Sequence, residues 1–191
     1  MNKTLDKGAL RTRIAQRRAA LSPEECASRD ARRSRWLLAE LGEPGVMAIY
    51  ASRAGEPGTL TLIDELAALG WQILLPKIRR SPDWAWSSEG LRPGWAGIPQ
   101  PVAAGLGAEA LGLADVVVVP CLATAPDGTR LGTGGGWYDR ALRHRRPESP
   151  LWALGNAEEI LPWLPREPHD LPVDAVVTED GFTHFAPGRV S

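Results

Sequence analysis

The chain of 191 residues predicts an α/β fold: an open, mostly parallel sheet with helices on both faces, preceded by two helices. Three observations carry that prediction. Short runs rich in Val, Ile and Leu recur at 46–51, 71–78, 115–122, 151–155 and 175–178, bounded by Gly, Pro or polar residues, as buried strands are. Helical patterns alternate with several of them, and strand, helix and strand at this spacing form a right-handed parallel crossover. The first 42 residues carry helical signals and no strand signal.

The first helix is expected over 3–21, where Leu5, Leu10, Ile14, Ala15 and Leu21 form a loose apolar stripe. Ser22-Pro23-Glu24-Glu25 opens the second: Ser22 is the N-cap, Pro23 suits the first helical position, and Glu25 completes a capping box. This helix should reach about Leu41 and stop at Gly42. The apolar run from Val46 to Ala51 is the first strand, and the loop 52–58 leads to a helix over 59–69 stopped by Gly70. The second strand is 71–78. Alternation of Trp84 and Trp86 within 83–91 predicts a small antiparallel hairpin arm. Gly97-Ile98-Pro99-Gln100-Pro101 is expected as an extended loop, because proline lacks a donor and keeps its predecessor out of the helical region. A strand over 115–122, a glycine loop, a helix over 139–145, a strand at 151–155, a short helix from Asn156 through Leu161 and a strand at 175–178 complete a Rossmann-like three-layer order. The proline-rich stretch 162–172 reads as a surface connection. The chain 1–191 reads as a single α/β domain on which the basic helical segment 1–42 packs.

Composition is that of a soluble globular protein, 43% hydrophobic and 24% charged. No run approaches the roughly 20 apolar residues that span a bilayer. The start holds Lys3, Lys7, Arg11, Arg13, Arg17 and Arg18 without the apolar core of a signal peptide, so a cytoplasmic location is expected. Cys26 and Cys121 supply neither a disulfide framework nor zinc-ligand spacing, and Cys121 reads as a small core residue. A net charge of −1 hides an asymmetry. Residues 1–35 carry ten Lys/Arg against four Asp/Glu, +6, which leaves −7 for the remainder. Such a segment contacts nucleic acid or lends cations to an anionic ligand, and no aromatic residues interleave it as single-strand binding would favour.

Chemistry concentrates in Arg130-Leu131-Gly132-Thr133-Gly134-Gly135-Gly136-Trp137-Tyr138-Asp139-Arg140, after the apolar run at 116–119. Four glycines in five positions let successive backbone N–H groups approach an anion, and a following helix start would add its positive end. No Gly-Lys-Ser/Thr follows, so this is not a Walker A loop, nor is it a dinucleotide fingerprint. Arg130 adds a forked donor and Asp139 a hard oxygen ligand for magnesium. Glu56, Lys77 and this loop are all expected beyond strand C-termini, where open parallel sheets bind ligands. The plain alternative is a flexible glycine turn over packed Trp137 and Tyr138.

Lys7-Gly8-Ala9-Leu10-Arg11, Tyr50-Ala51-Ser52 with Glu56 and Thr59, Pro76-Lys77, Gly97 to Pro101, Gly128 to Arg140, and His169-Asp170-Leu171-Pro172-Val173-Asp174 occur in the order seen in the 5-formyltetrahydrofolate cyclo-ligase (methenyltetrahydrofolate synthetase) family, which the chain resembles over most of its length. The resemblance implies an ATP- and magnesium-dependent enzyme that turns 5-formyltetrahydrofolate into 5,10-methenyltetrahydrofolate, ADP and phosphate. It implies that Lys7 and Arg11 bind ATP phosphates together with Arg130, Leu131, Gly132, Thr133, Gly134, Gly135, Gly136, Trp137 and Tyr138. Ala51 and Glu56, with residues 133–137, would line the folate pocket, Glu56 accepting from pterin donors and Trp137 forming a wall. Arg130 and Tyr138 would be catalytic, and Asp139 and Asp170 would hold Mg2+. The partners implied are small-molecule substrates, with no nucleic acid and no membrane, and the chain is expected to be a monomer.

The chain departs from the family pattern in three places. Thr124-Ala125 stands where Phe-Asp is frequent, with Asp127 displaced; Gly135 replaces a lysine of some members; and Trp137 replaces the usual tyrosine. His169 reads as a structural or surface histidine, and Arg140 and Arg143 as complements to their helix C-terminus. Two other functions fit the same features: a phosphate- or CoA-handling isomerase or transferase on a similar sheet, and a non-catalytic nucleic-acid adaptor using the +6 segment.

Overall fold

The computed structural model describes residues 6–94, 97–167 and 170–185. Lys3 and Leu5 of the expected first helix, and His169, lie outside them.

Helix α1 (Lys7–Ala19) starts later than position 3, because Asp6 caps it: its carboxylate accepts from Gly8 N at 2.9 Å and satisfies one of the orphan amides of the first turn. Helix α2 (Pro23–Ala39) has the expected capping box, with Glu25 N donating to Ser22 Oγ and Ser22 N to Glu25 Oε2. Gly42 is not its stop. Glu40 N and Leu41 N donate to Leu37 O and Leu38 O, so a tightened last turn satisfies those carbonyls and no left-handed residue is needed.

The chain continues with β1 (Val46–Ala48), α3 (Leu60–Ala68), β2 (Gln72–Pro76), β3 (Trp84–Trp86), β4 (Leu91–Pro93), β5 (Pro99–Pro101), β6 (Val116–Pro120), β7 (Ala123–Thr124), β8 (Arg130–Leu131), α4 (Trp137–Ala141), β9 (Leu151–Leu154), β10 (Ala175–Thr178) and β11 (Gly181–His184). The main sheet has the order β11-β10-β9-β6-β1-β2-β3. Its five central strands are parallel, and β3 and β11 close the two edges antiparallel. α3 ends before Gly70, which takes φ +94 as expected of a helix stop. The expected helix from Asn156 to Leu161 shrinks to a 3-10 turn, Ala157–Glu159, and that over 139–145 begins earlier, at Trp137, and passes into a 3-10 turn after Ala141.

The 83–91 arm is not a hairpin. Trp84 and Trp86 belong to β3 on the edge of the main sheet, where Trp84 is buried against Trp137, and the small arm is instead β4 with β5. Residues 99–101 therefore form a strand, although two of the three are prolines. Gly94 N donates to Ile98 O and Val102 N to Gly90 O, which leaves Pro93, Pro99 and Pro101 at the register positions that exchange no ladder bond.

Strand parity builds both sides of the core. Met47, Ile73, Leu75, Val116, Val118, Trp152, Leu154 and Val177 face α2 and α3 through Leu37, Leu62, Ile63 and Leu66. The alternate residues Ala48, Leu74, Val117, Val119, Leu151, Ala153 and Val176 face Leu111, Trp137, Ala141 and Leu142. Truncating a fully buried side chain such as Leu37 to Ala would cost about 2–5 kcal/mol. α1 packs elsewhere: Leu10 and Ile14 bury against Ala123, Ala125, Leu131 and Leu164, on the β7/β8 hairpin.

The charge asymmetry is answered within the chain. Arg18 pairs with Glu159 at 2.6 Å, Arg29 with Glu158 at 2.9 Å and Glu179 at 3.1 Å, Arg32 with Asp180 at 2.6 Å, and Lys7 with Glu167 at 2.9 Å. Arg33 is buried, bonded to Asp30, to Gly155 O at 2.9 Å and to Asn156 Oδ1 at 2.6 Å. The basic N-terminal helices are thus clamped onto the acidic loops after β9 and β10.

Candidate active site

Along the parallel strands the order is β2-β1-β6-β9-β10. From β1 the chain first adds β2 on one side and then crosses to β6 on the other, so the strand order reverses between β1 and β6. At such a switch point the outgoing loops diverge and leave a crevice beyond the strand C-termini. A cavity of about 1410 Å³ lies there, bordered by Tyr50 and Ala51 after β1, by Pro120 and Cys121 at the end of β6, by the loop 130–139 and by α1. Lys7, Arg11, Ala51, Glu56, Arg130, Leu131, Gly132, Thr133, Gly134, Gly135, Gly136, Trp137, Tyr138, Asp139 and Asp170 all line it.

The glycine loop leaves β8, is pinned by Arg11 Nε donating to Gly132 O at 2.9 Å, and turns through Gly134 (φ +100) and Gly136 (φ +61). These positive φ values are what glycine permits. A Cβ on Gly134 would sit 3.4 Å from the Arg11 guanidinium carbon. α4 has only five residues, so the expected contribution of a helix end to anion binding is slight. Asp139 in its first turn accepts from Arg130 Nη2 at 2.9 Å. Arg130 also lies 6.0 Å from the centre of the Tyr138 ring, and Tyr138 packs edge-on against Trp137 at 5.0 Å. Burial, first, and the nearby Glu56 charge push the Tyr138 phenol well above its ordinary range, against the opposing charge of Arg130. It remains a protonated donor and cannot serve as a base near neutral pH.

On the opposite wall, Thr59 organises the loop after β1. Its Oγ1 donates to Tyr50 O at 2.6 Å and accepts from Ser52 N at 2.9 Å, and Tyr50 Oη donates to Pro57 O at 2.8 Å. Glu56 is held with its side chain 16% exposed, accepting from Arg53 N at 3.1 Å and Arg53 Nε at 3.2 Å. It is a fixed acceptor and not a solvated loop charge.

Lys7 reaches the cavity from the first turn of α1, 3.7 Å from Asp170 and 2.9 Å from Glu167. Asp170 also accepts from Glu167 N at 2.8 Å, a turn contact that leaves its carboxylate on the cavity wall.

Lys77 does not reach the site. Pro76 and Ile78 border the cavity, and the intervening Lys77 points to the other side of its strand, where it is buried and donates to Ala103 O. Asp127 caps its own turn by accepting from Thr129 N at 2.9 Å, while Thr124 and Ala125 are buried in and beside β7. Burial, foremost, and the Glu159 charge push the Cys121 thiol up to about 12, in keeping with a core residue. One residue of the basic N-terminal segment that belongs to none of the motifs above lines the cavity too: Arg18. Its partners lie 37 to 141 positions away, so no local signal marks it.

The chain matches the model of the 5-formyltetrahydrofolate cyclo-ligase family over residues 3–179. It belongs to that family. It is 35% identical over 183 residues to the 5-formyltetrahydrofolate cyclo-ligase of Mycolicibacterium smegmatis, covering 90% of this chain and 93% of that one. It is 29% identical to the Mus musculus cyclo-ligase, covering 91% and 94%. The solved 5,10-methenyltetrahydrofolate synthetase of Aquifex aeolicus superposes with a TM-score of 0.79 at 28% identity, covering 97% of this chain and 95% of that one. That of Mycoplasma pneumoniae, at TM-score 0.74 and 22% identity over 92% and 99%, shares the fold. The cyclo-ligase family is one of enzymes of folate metabolism, and the crevice between β1 and β6 is where this member gathers its family motifs.

Proposed function

We propose that the chain joins ATP to the cyclisation of 5-formyltetrahydrofolate, yielding 5,10-methenyltetrahydrofolate, ADP and phosphate. One observation carries this reading: the cationic and glycine-rich wall from Lys7, Arg11 and 130–136, suited to phosphates, faces the same cavity as the fixed acceptor Glu56 and the aromatic Trp137. Lys7, Arg11, Arg130 and the loop amides hold the triphosphate. Glu56 and Ala51 seat the pterin, with Glu56 accepting its N–H donors and Trp137 closing one side.

The γ-phosphoryl group passes to the formyl oxygen as its bond to ADP breaks. N10 then attacks the formyl carbon and loses its proton, the carbon–oxygen bond breaks, and inorganic phosphate leaves with that oxygen. Such a transfer is chiefly positioning and charge neutralisation. Arg130 supplies charge beside the transferring group, and the protonated Tyr138 phenol supplies a donor.

Asp139 and Asp170 fit magnesium. They are hard oxygen donors on the cavity wall, each matched by a cation, Arg130 and Lys7, that can turn to phosphate when the metal takes its carboxylate. Among the described residues no group of three His, Cys, Asp or Glu could hold a metal, so phosphates and waters would have to complete the ion's ligands. Bound there, magnesium neutralises phosphate charge.

The pairing of Lys7, Arg18, Arg29, Arg32 and Arg33 within the chain argues against a nucleic-acid adaptor. We take the chain to act as a monomer in the cytoplasm. Among the described residues no helix is long and apolar enough to cross a membrane. The stoichiometry tests the reaction: one ADP should appear for each methenyltetrahydrofolate formed, and cyclisation with no ADP would refute it.

A further inference from the structure

Positions 7, 11 and 18 of α1 fall within about 40° of one another on a helix of 3.6 residues per turn, and a rise of 1.5 Å per residue separates Lys7 from Arg18 by roughly 16 Å. One helix face therefore lays three cations along the cavity. Their environments differ. The Lys7 side chain is 25% exposed, whereas that of Arg18 is 5% exposed and engaged throughout. Its fork meets Glu159 at 2.7 and 2.6 Å, Nη2 also donates to Cys121 O at 2.8 Å, and Nη1 to Gly55 O at 3.3 Å. With its donors so occupied, Arg18 has little left for a phosphate.

What it holds is informative. Cys121 directly follows β6, Glu159 ends the turn after β9, and Gly55 precedes Glu56. Among the described residues every other hydrogen bond of 53–56 stays inside that segment: Glu56 N to Arg53 O, Arg53 N and Nε to the Glu56 carboxylate. The Arg18 contact is the bond from this loop to the body of the protein.

We propose that Arg18 is a positioning residue for the folate side of the site, fixing the 53–56 loop and hence the Glu56 carboxylate against α1 and the end of β6. This rests on the reading of Glu56 as the pterin acceptor. The same helix thus presents cations to the nucleotide at one end and sets the folate loop at the other. Lysine cannot replace this arginine, because a single ammonium on a flexible stem cannot span a carboxylate and two separate carbonyls in fixed directions.

The test is Arg18→Lys in the full chain, read by amide hydrogen exchange and by steady-state kinetics beside the wild type. Exchange should rise about tenfold at 53–56 and stay unchanged at 132–136, with KM for 5-formyltetrahydrofolate up fivefold or more and KM for ATP within twofold. The paired change Arg18→Met with Glu159→Leu, which leaves no unpaired buried charge, should give the same exchange pattern if lysine impairs folding. Unchanged exchange at 53–56, or an equal rise in both loops, overturns the proposal. Exchange requires no turnover, so a wild type without activity would remove the folate reading while the anchoring is still judged.

Discussion

Arg130 and Asp139 face each other across the glycine loop, Nη2 to Oδ1 at 2.9 Å, with the arginine side chain 6% exposed and the carboxylate 30% exposed. The two groups that the proposed reaction assigns to phosphate and to magnesium neutralise one another here. Asp139→Ala should therefore lower turnover about a hundredfold or more, and it should also lower the melting temperature, because it leaves the nearly buried Arg130 guanidinium without its carboxylate. Full activity in the variant, measured with saturating magnesium, would remove Asp139 from the site.

Lys7 and Arg11 should act on the nucleotide. Each Ala substitution is expected to raise KM for ATP about tenfold, near 1.4 kcal/mol, and to change KM for the folate less than twofold. Arg11→Ala should also cost some stability, because Arg11 pins Gly132 O. An effect confined to the folate KM would contradict the assignment.

The loop glycines are not equivalent. Gly134 has φ +100, and a methyl group there would stand 3.4 Å from the Arg11 guanidinium carbon. Gly134→Ala should cost about 1–2 kcal/mol and disturb the Arg11 contact, reducing ATP affinity. Gly135 has open space and no left-handed φ, so Gly135→Ala should keep wild-type stability, and any loss of ATP affinity should come only from its methyl on the cavity wall. Denaturant melts and ATP titrations of the two variants check this.

Tyr138 should leave no mark on the pH profile. Burial and Glu56 raise its pKa above the ordinary 10.0, so the phenol stays neutral throughout the range below that value. Tyr138→Phe should lower kcat without shifting the profile between about pH 6 and 9. Loss of a basic-side inflection in that variant would show an ionising phenol.

The two thiols should differ in reactivity. Cys121 is buried with its thiol pushed up to about 12, whereas Cys26 is half-buried. An aromatic disulfide reagent at about pH 8 should titrate one thiol in the native protein and two after unfolding.

The α/β order, the strand parity and the glycine loop were legible because each is written in local periodicity or in residues with distinctive backbone freedom. Ser22 announced its cap for the same reason. Lys77 was misplaced because alternation along a strand turns a one-residue shift into the opposite face. The prolines of β5 concealed a strand because their spacing, and not their number, decides whether a ladder survives. β7 and β8, at two residues each, are too short to carry a period. Nothing local set Arg18 and Arg33 apart from the other cations of the basic segment, because Glu159 and Asn156 lie more than a hundred positions away.

The measurement that bears most directly on the central claim is the absorbance of methenyltetrahydrofolate in a mixture of the protein, 5-formyltetrahydrofolate and magnesium, with and without ATP. A rise that requires ATP, and that disappears in Asp139→Ala, is the predicted result. No rise with ATP, in protein that is folded, would contradict the account.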